Sequence, residues 1–199
     1  MGKSKSGEGN KWLKDRADFD EEILSLADDA SIIFENTGDL LKSMKNFSGS
    51  VGEQEKKHPY GKGSYAAKTY GGGMKNSASA FTRSGDQFDK LYGACSGLQE
   101  HINGKILAKL ISFKDIECKD CDQQMTQLKK AQKDYANKKG KKNPDQVLVD
   151  AAETSLKKLL EEAKSTLTKF NKTGCELLTQ ISADMKSGFD TYCDAGTSA

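Results

Sequence analysis

Apolar residues near the start of the chain recur at alternating steps of four and three residues, with mostly charged or polar residues between them. A 3.5-residue repeat of this kind keeps one stripe of a long helix against its neighbours over many turns. The pattern predicts a first helix over residues 18–57. Its seam consists of Phe19, Ile23, Leu26, Ala30, Ile33, Thr37, Leu40, Met44, Phe47 and Val51.

The same spacing predicts a second helix over residues 75–138. Within it, Ile102, Ile106 and Leu110 make two successive steps of four, a stutter that shifts the apolar stripe around the helix. Three glycines lie close to the stutter, and each costs about 1 kcal/mol inside a helix. They predict a place of bending or of close helix crossing, at Gly93, Gly97 and Gly104.

A third helix is predicted over residues 144–193, where Asn143 and Pro144 suit its start. Two rows of residues seven apart define its seam: Val149, Leu156, Ala163, Phe170 and Leu177, and Leu160, Leu167, Gly174, Ile181 and Gly188. Between the first two helices, residues 58–73 hold Pro59 and three consecutive glycines and predict a loop. Its Lys62 and Lys68 are candidates for a mobile contact.

Several apolar residues lie off these stripes, many of them on the first helix and the middle of the second. Such a surplus predicts that a second copy of the chain packs alongside, with twofold symmetry as the default. The residues are Leu24, Ile32, Phe34, Leu41, Tyr92, Leu107, Ile111, Leu159 and Leu178.

The overall charge excludes little by itself, because 31 Lys and Arg against 29 Asp and Glu leave a net charge of +2. Arginine is limited to Arg16 and Arg83, and no base-reading module is present, so we expect no nucleic-acid partner. The two histidines are isolated and no phosphate-cradling loop follows a strand. We therefore expect no enzymatic activity and no cofactor.

The five cysteines are scattered, which favours a reduced, cytoplasmic set of thiols. Cys118 and Cys121 have the spacing of metal ligands, but they lack a second pair and a nearby His, whereas structural zinc needs four ligands. Two thiols on a helix is the preferred interpretation, with no metal site expected. No stretch approaches the roughly 20 apolar residues that a membrane span needs.

Positive charge is concentrated between the second and third predicted helices. Residues 129–142 hold seven lysines and one Asp, a net charge of +6 in a chain of +2. We expect this hairpin to form the tip of a helical rod and to bind anionic lipid, unless it serves only solubility. The tip candidates are Lys129, Lys130, Lys133, Lys138, Lys139, Lys141 and Lys142.

The chain resembles the BAR-domain family of membrane-curvature modules over residues 18–195, most closely those of Arf GTPase-activating and related proteins. The resemblance rests on three long helices, the stutter with its glycines, the first helix (FDEEILSLADDASIIFENTGDLLKSM) and the stretch LKKAQKDYANKKGKKNPD. It implies an all-α, elongated three-helix antiparallel coiled coil that forms a crescent-shaped homodimer. It also implies lipid contacts on a concave face, with Lys105, Lys109, Lys114 and Lys119 as candidates.

Residues 1–17 are polar and basic, and we expect them to be flexible. Gly2 and Ser6 match the myristoylation pattern, which makes Gly2 a candidate for lipidation. Trp12 and Leu13 are candidates for a short membrane wedge, although capping of the helical core is the preferred interpretation.

The expected function is binding of anionic phospholipid membranes as a curved homodimer that senses or generates curvature, at a cytoplasmic, peripheral location. The alternative is a non-membrane helical scaffold that docks partner proteins such as a small GTPase.

Overall fold

The computed structural model describes residues 12–13, 19–55, 57–72 and 78–197. Regular structure in these ranges is helical and includes no strand, so the predicted all-α class is confirmed. The helices are α1 (Glu21–Val51), α2 (Pro59–Gly71), α3 (Ala78–His101), α4 (Ala108–Asp115), α5 (Glu117–Lys139) and α6 (Gln146–Thr197). A π-helical segment, Ile102–Leu107, lies between α3 and α4.

The predicted second helix is irregular at two places. The stutter coincides with the π-helical segment, where Ile102, Ile106 and Leu107 are all buried. Hydrogen bonds to the fifth preceding residue widen the turn there, and this accommodates the two steps of four. The second irregularity is at Ile116, between α4 and α5, with φ −110° and ψ −76°. Its N–H still donates to Ser112 O at 3.0 Å and its carbonyl accepts from Asp120 N at 2.9 Å, so the helical path continues from α3 to α5 with two local distortions.

The prediction of a loop over residues 58–73 is wrong, because Pro59–Gly71 forms the helix α2. Pro59 occupies its first position, and His58 Nδ1 accepts a hydrogen bond from Tyr60 N at 3.3 Å. Gly71, one of the three consecutive glycines that suggested a turn, serves packing instead, and so does Gly85 of α3. A Cβ on Gly71 would come within 2.7 Å of Phe81 Cβ, and one on Gly85 within 2.9 Å of Lys68 Cγ. None of the described glycines has a positive φ.

The close helix crossing predicted at three other glycines is not found. A Cβ added to Gly93, Gly97 or Gly104 would have no atom of another element within 4 Å. Of the predicted seam of α6, two small residues do make close approaches. Gly174 lies against Ile33, and Gly188 lies 2.8 Å, measured from its built Cβ, from His101 Cδ2.

The described chain divides into two compact units. The first unit comprises the described residues of Met1–Gly38 together with Ser112–Leu177. The start of α1, the end of α4, the first half of α5 and the first part of α6 supply its core. Phe113 and Phe170 stack with ring centroids 5.2 Å apart, and Asn171 Nδ2 donates to Leu26 O at 3.0 Å. The buried side chains include Ile23, Ala30, Ile33, Cys121, Met125, Leu128, Ala163, Leu167 and Phe170.

The second unit comprises the described residues of Asp39–Ile111 and Leu178–Ala199. In it, α2 packs on α3, and the ring of Phe47 lies 5.9 Å from that of Phe189. Ser48 is buried and its Oγ donates to Asn103 Oδ1 at 2.7 Å, which ties α1 to the π-helical segment. Its buried apolar residues include Leu41, Leu98, Ile102, Ile106, Leu110 and Ile181.

The apolar residues that lie off the predicted seams differ in their exposure to solvent. Leu41 and Leu107 are buried in the second unit, so the chain covers them itself. Ile32 and Ile111 remain exposed, at 57% and 40%.

Candidate functional site

The predicted basic cluster contains the turn between α5 and α6, and we refer to residues 138–142 as the lysine turn. α5 ends at Lys139, and the N–H of Gly140 donates to Ala136 O at 2.9 Å. Residues 139–148 are all exposed, so every side chain after Lys138 in this turn reaches solvent. The four lysines of the turn therefore project from the first unit within five residues of sequence.

The lysines of the turn differ in how they are held. Lys138 Nζ pairs with Asp134 Oδ2 at 2.7 Å, one helical turn back. Lys139 Nζ lies 5.2 Å from the centre of the Tyr135 ring and donates to its hydroxyl at 3.2 Å. Lys141 and Lys142 make no ion pair with a described residue. Two cations of the turn are thus available to an external anion without breaking an internal pair.

Positive charge from the turn reaches the beginning of α6. The pKa of Glu153 is lowered chiefly by its hydrogen bond from Lys157 and, to a smaller degree, by the charge of Lys139. Glu153 is the first glutamate of α6 and lies beyond Asp145 and Asp150. The field of the lysine turn is therefore partly compensated by carboxylates on the adjoining helix.

The three remaining tip candidates lie further back on α5, in the same unit. Lys130 and Lys133 are exposed and Lys129 is half-buried. At a rise of about 1.5 Å per residue, Lys130 lies about 12 Å along the axis from Lys138. The structure thus groups four of the seven predicted tip lysines in one turn and leaves three on the helix behind it.

The four lysines predicted for a concave face are divided between the two units. Lys105 is exposed in the π-helical segment, and Lys109 Nζ pairs with Asp184 Oδ2 at 2.7 Å in the second unit. Lys114 is exposed, and Lys119 pairs with Asp115 at 3.1 Å in the first unit. Because two of the four lysines already form ion pairs with carboxylates of their own unit, these lysines form a weaker candidate site than the lysine turn.

Lys62 and Lys68, predicted to make a mobile contact from a loop, both lie on the helix α2. Lys68 hydrogen-bonds Asp89 and lies 3.9 Å from Asp86, and the bond to Asp89 raises the pKa of Lys68. Lys62 is exposed beside Tyr65, and these two line a cavity with Glu55 and Gly61. Both lysines of α2 are exposed, but Lys68 is engaged by carboxylates of α3, whereas Lys62 lies beside the exposed ring of Tyr65.

Two apolar residues next to the lysine turn were missed by the sequence analysis. Val147 and Leu148 are 76% and 48% exposed, on the first turn of α6. The sequence contains a signal for their exposure, because neither residue belongs to the two rows that form the predicted seam of the third helix, whereas Val149 does. Asp145 caps this helix, accepting from the N–H of Val147 at 3.0 Å and of Leu148 at 3.4 Å, in place of the predicted Asn143.

The N-terminal candidates are only partly described. Gly2 lies outside the described residues. Trp12 and Leu13 are 2% and 1% exposed, and Trp12 Nε1 donates to Asp122 Oδ1 at 2.9 Å. The ring of Trp12 also meets Phe34 edge to face at 5.6 Å. These contacts favour the core-capping interpretation over the membrane wedge, and they are not those of a wholly flexible segment.

Other chemistry finds little support in the described part of the chain. Cys118 and Cys121 are buried in α5. No group of three or more His, Cys, Asp or Glu side chains there is arranged to hold a metal ion. Nor does any helix of the described ranges combine the length and apolar character that a membrane crossing requires.

Comparison with known proteins identifies no relative: no family model matches the chain, and no curated protein matches it significantly. The likeness to BAR domains therefore remains a resemblance in sequence features.

Proposed function

We propose that the protein binds anionic phospholipid membranes through the lysine turn, and that it acts by adhesion rather than by catalysis. The observation that carries the proposal is the exposed run of residues 139–148, whose Lys141 and Lys142 make no ion pair with a described residue. Lysine suits a lipid surface, because it is a mobile point charge that does not need a fixed bidentate partner.

The energetics of this turn fit reversible membrane adsorption. Each basic residue near an anionic leaflet contributes about 1 kcal/mol at moderate salt. Asp134 offsets Lys138, and Asp145 and Asp150 follow within the next turns. A net gain of a few charges gives weak binding for one chain, and two chains acting together bind much more tightly than one.

The proposal extends to a homodimer whose curved surface senses or generates membrane curvature, as the BAR resemblance implies. Exposed Ile32 in the first unit and Ile111 in the second are apolar surface that a second copy of the chain would cover. The location that follows is peripheral, on the cytoplasmic leaflet, where anionic lipids are concentrated.

Sedimentation with vesicles tests the proposal. We expect the wild-type chain to pellet with anionic vesicles and not with neutral ones, and salt to weaken the binding. Reversing the charges of Lys138, Lys139, Lys141 and Lys142 to Glu should abolish pelleting while leaving helicity unchanged. Equal pelleting of variant and wild type contradicts the assignment of the turn.

A second candidate function is a helical scaffold that docks a partner protein such as a small GTPase. The observation that favours it is the exposed face of α2, where Tyr65 and Tyr70 are 75% and 68% exposed. Tyrosine is enriched in protein interfaces. Failure to pellet with either type of vesicle, together with capture of a GTPase that Tyr65→Ser abolishes, is the result expected of a scaffold.

A further inference from the structure

The first turn of α6 presents apolar residues on both of its sides. Val149 and Ala152 are buried and face the core of the first unit. Val147, Leu148 and Ala151 are exposed. Residues three and four apart are neighbours on a helix surface, so Ala151 adjoins both Val147 and Leu148. The exposed side of this turn is therefore a small apolar patch, which we call the α6 patch.

The α6 patch is held in place by the helix cap. Asp145 Oδ1 accepts hydrogen bonds from the backbone N–H groups of Val147 and Leu148. Gln146 Nε2 donates to Asp150 Oδ1 at 2.7 Å on the same turn. Since both polar interactions fix the first turn, the two large apolar side chains are presented from ordered helix.

The α6 patch directly follows the lysine turn. Only Asn143, Pro144, Asp145 and Gln146 separate Lys142 from Val147, and all of these residues are exposed. A surface that joins several cations to exposed aliphatic side chains matches one environment in particular, the interface of an anionic bilayer. Phosphate groups there lie next to acyl chains.

We propose that Val147 and Leu148 insert below the headgroups of an anionic membrane when the lysine turn adsorbs. This inference rests on the proposed function and names the apolar half of the same site. The carboxylates of Asp145 and Asp150 reduce the attraction between the lysines and the anionic lipids. Apolar contacts add to the binding free energy, and salt does not screen them as it screens the charges.

The first experiment measures binding to vesicles of phosphatidylserine and phosphatidylcholine. The variant V147S/L148S keeps every charge of the chain. We expect it to bind about tenfold more weakly than wild type, because two side chains no longer leave water. The difference should persist at high salt, where the lysines are screened. Ile116→Ser is the matched control, since it removes an apolar side chain that is 54% exposed elsewhere in the first unit.

The second experiment measures insertion directly and does not depend on the stability of the serine variant. Leu148→Trp places an indole in the α6 patch, and Glu161→Trp places one on an exposed position of the same helix. Lipids brominated on the acyl chain should quench the fluorescence of the first variant and not that of the second. Trp12 is buried and contributes an equal background to both.

The outcomes separate this inference from the proposed function. If wild type binds anionic vesicles but Leu148→Trp is quenched no more than Glu161→Trp, insertion is refuted and electrostatic adsorption stands. If V147S/L148S weakens binding but Leu148→Trp is not quenched, insertion is likewise refuted, and the loss of binding indicates that the α6 patch contacts another copy of the chain. If wild type does not bind anionic vesicles at all, the proposed function and the inference both fail.

Discussion

Gly174 of α6 lies directly against Ile33 of α1 in the first unit. A Cβ on the glycine would come within 2.6 Å of Ile33 Cγ2 and within 3.4 Å of Phe113 Cζ. The Cγ2 of isoleucine is bonded directly to Cβ, so this methyl group cannot move aside as the end of a long, flexible side chain can. The two helices therefore approach each other at a distance that only glycine allows.

Gly174→Ala should lower the free energy of unfolding by about 1–3 kcal/mol, because overpacking outweighs the better helix propensity of alanine. Gly38→Ala is the matched control in α1, where nothing lies within 4 Å of the built Cβ. It should raise stability by about 1 kcal/mol. Urea denaturation followed by circular dichroism checks both values. Stabilisation by both substitutions contradicts the close approach.

The pairing of α2 with α3 makes a similar test in the second unit. Gly71 is buried, with Phe81 Cβ 2.7 Å from its built Cβ, whereas the built Cβ of the neighbouring Gly72 meets nothing closer than 3.7 Å. Gly71→Ala should weaken the packing of α2 by about 1–3 kcal/mol. Hydrogen exchange of the α2 amides should then become faster, while Gly72→Ala should leave it unchanged. Equal exchange in the two variants is the contrary result.

Acid should weaken the start of α1 through Asp20. A hydrogen bond from Ile23 N lowers the pKa of Asp20, and Lys164 adds to this through its ion pair at 2.9 Å. Because the folded-state pKa lies below the unfolded value of 3.8, the stabilisation is complete above about pH 4. It is lost as the pH falls through the folded-state pKa.

Two substitutions separate the cap from the charge. Asp20→Ala removes both and should cost about 1 kcal/mol at pH 7. Asp20→Asn keeps a good capping oxygen and should cost less, but it should flatten the fall in stability between pH 5 and pH 2. Thermal melting across this pH range measures both effects. An acid limb that is unchanged in Asp20→Asn assigns the acid sensitivity to other carboxylates.

Alkali should weaken the second unit through Tyr192 and Cys95. Burial, together with a hydrogen bond to Cys95, raises the pKa of Tyr192 to about 12, and burial raises the pKa of the Cys95 thiol. Both folded-state pKa values exceed the unfolded ones, 10.0 and 9.0, so the stabilisation is complete below pH 9. For Tyr192 it is lost between pH 10 and about pH 12. Tyr192→Phe should reduce the fall of the melting temperature above pH 10, and an equal fall in this variant excludes Tyr192 as its source.

Lys141 and Lys142, which make no ion pair with a described residue, should dominate membrane affinity. We expect K141Q/K142Q to weaken binding to anionic vesicles by about tenfold and to reduce its dependence on salt. K42Q/K45Q, on exposed positions of α1, removes the same charge from the second unit and is the matched control. Equal loss in both variants shows that net charge, and not the lysine turn, controls the affinity.

The heptad pattern was sufficient to predict most of the helical core. Ile23, Ala30, Ile33 and Thr37 of the predicted first seam are buried, as are Phe170, Gly174 and Ile181 of the third. The spacing of apolar residues is enough for this, because helix geometry alone decides which positions share a face. The composition of residues 138–142 was likewise sufficient to predict a cluster of cations, because four of these five residues are lysines.

The structural roles of the glycines were predicted less well, because the effect of a glycine depends on the residues that face it in the folded protein. In α2 and α3, Gly71 and Gly85 allow two helices to approach, a role that a local sequence window cannot distinguish from a turn. At Gly93 and Gly97 the same residue type faces open space.

The sequence by itself determined the helical class, the seams and the basic turn, because these follow from periodicity and local composition. Only the tertiary structure decided which groups remain available. It buried Trp12 and paired Lys109 with Asp184. Exposure and ion pairing depend on residues distant in sequence, and no local pattern contains them.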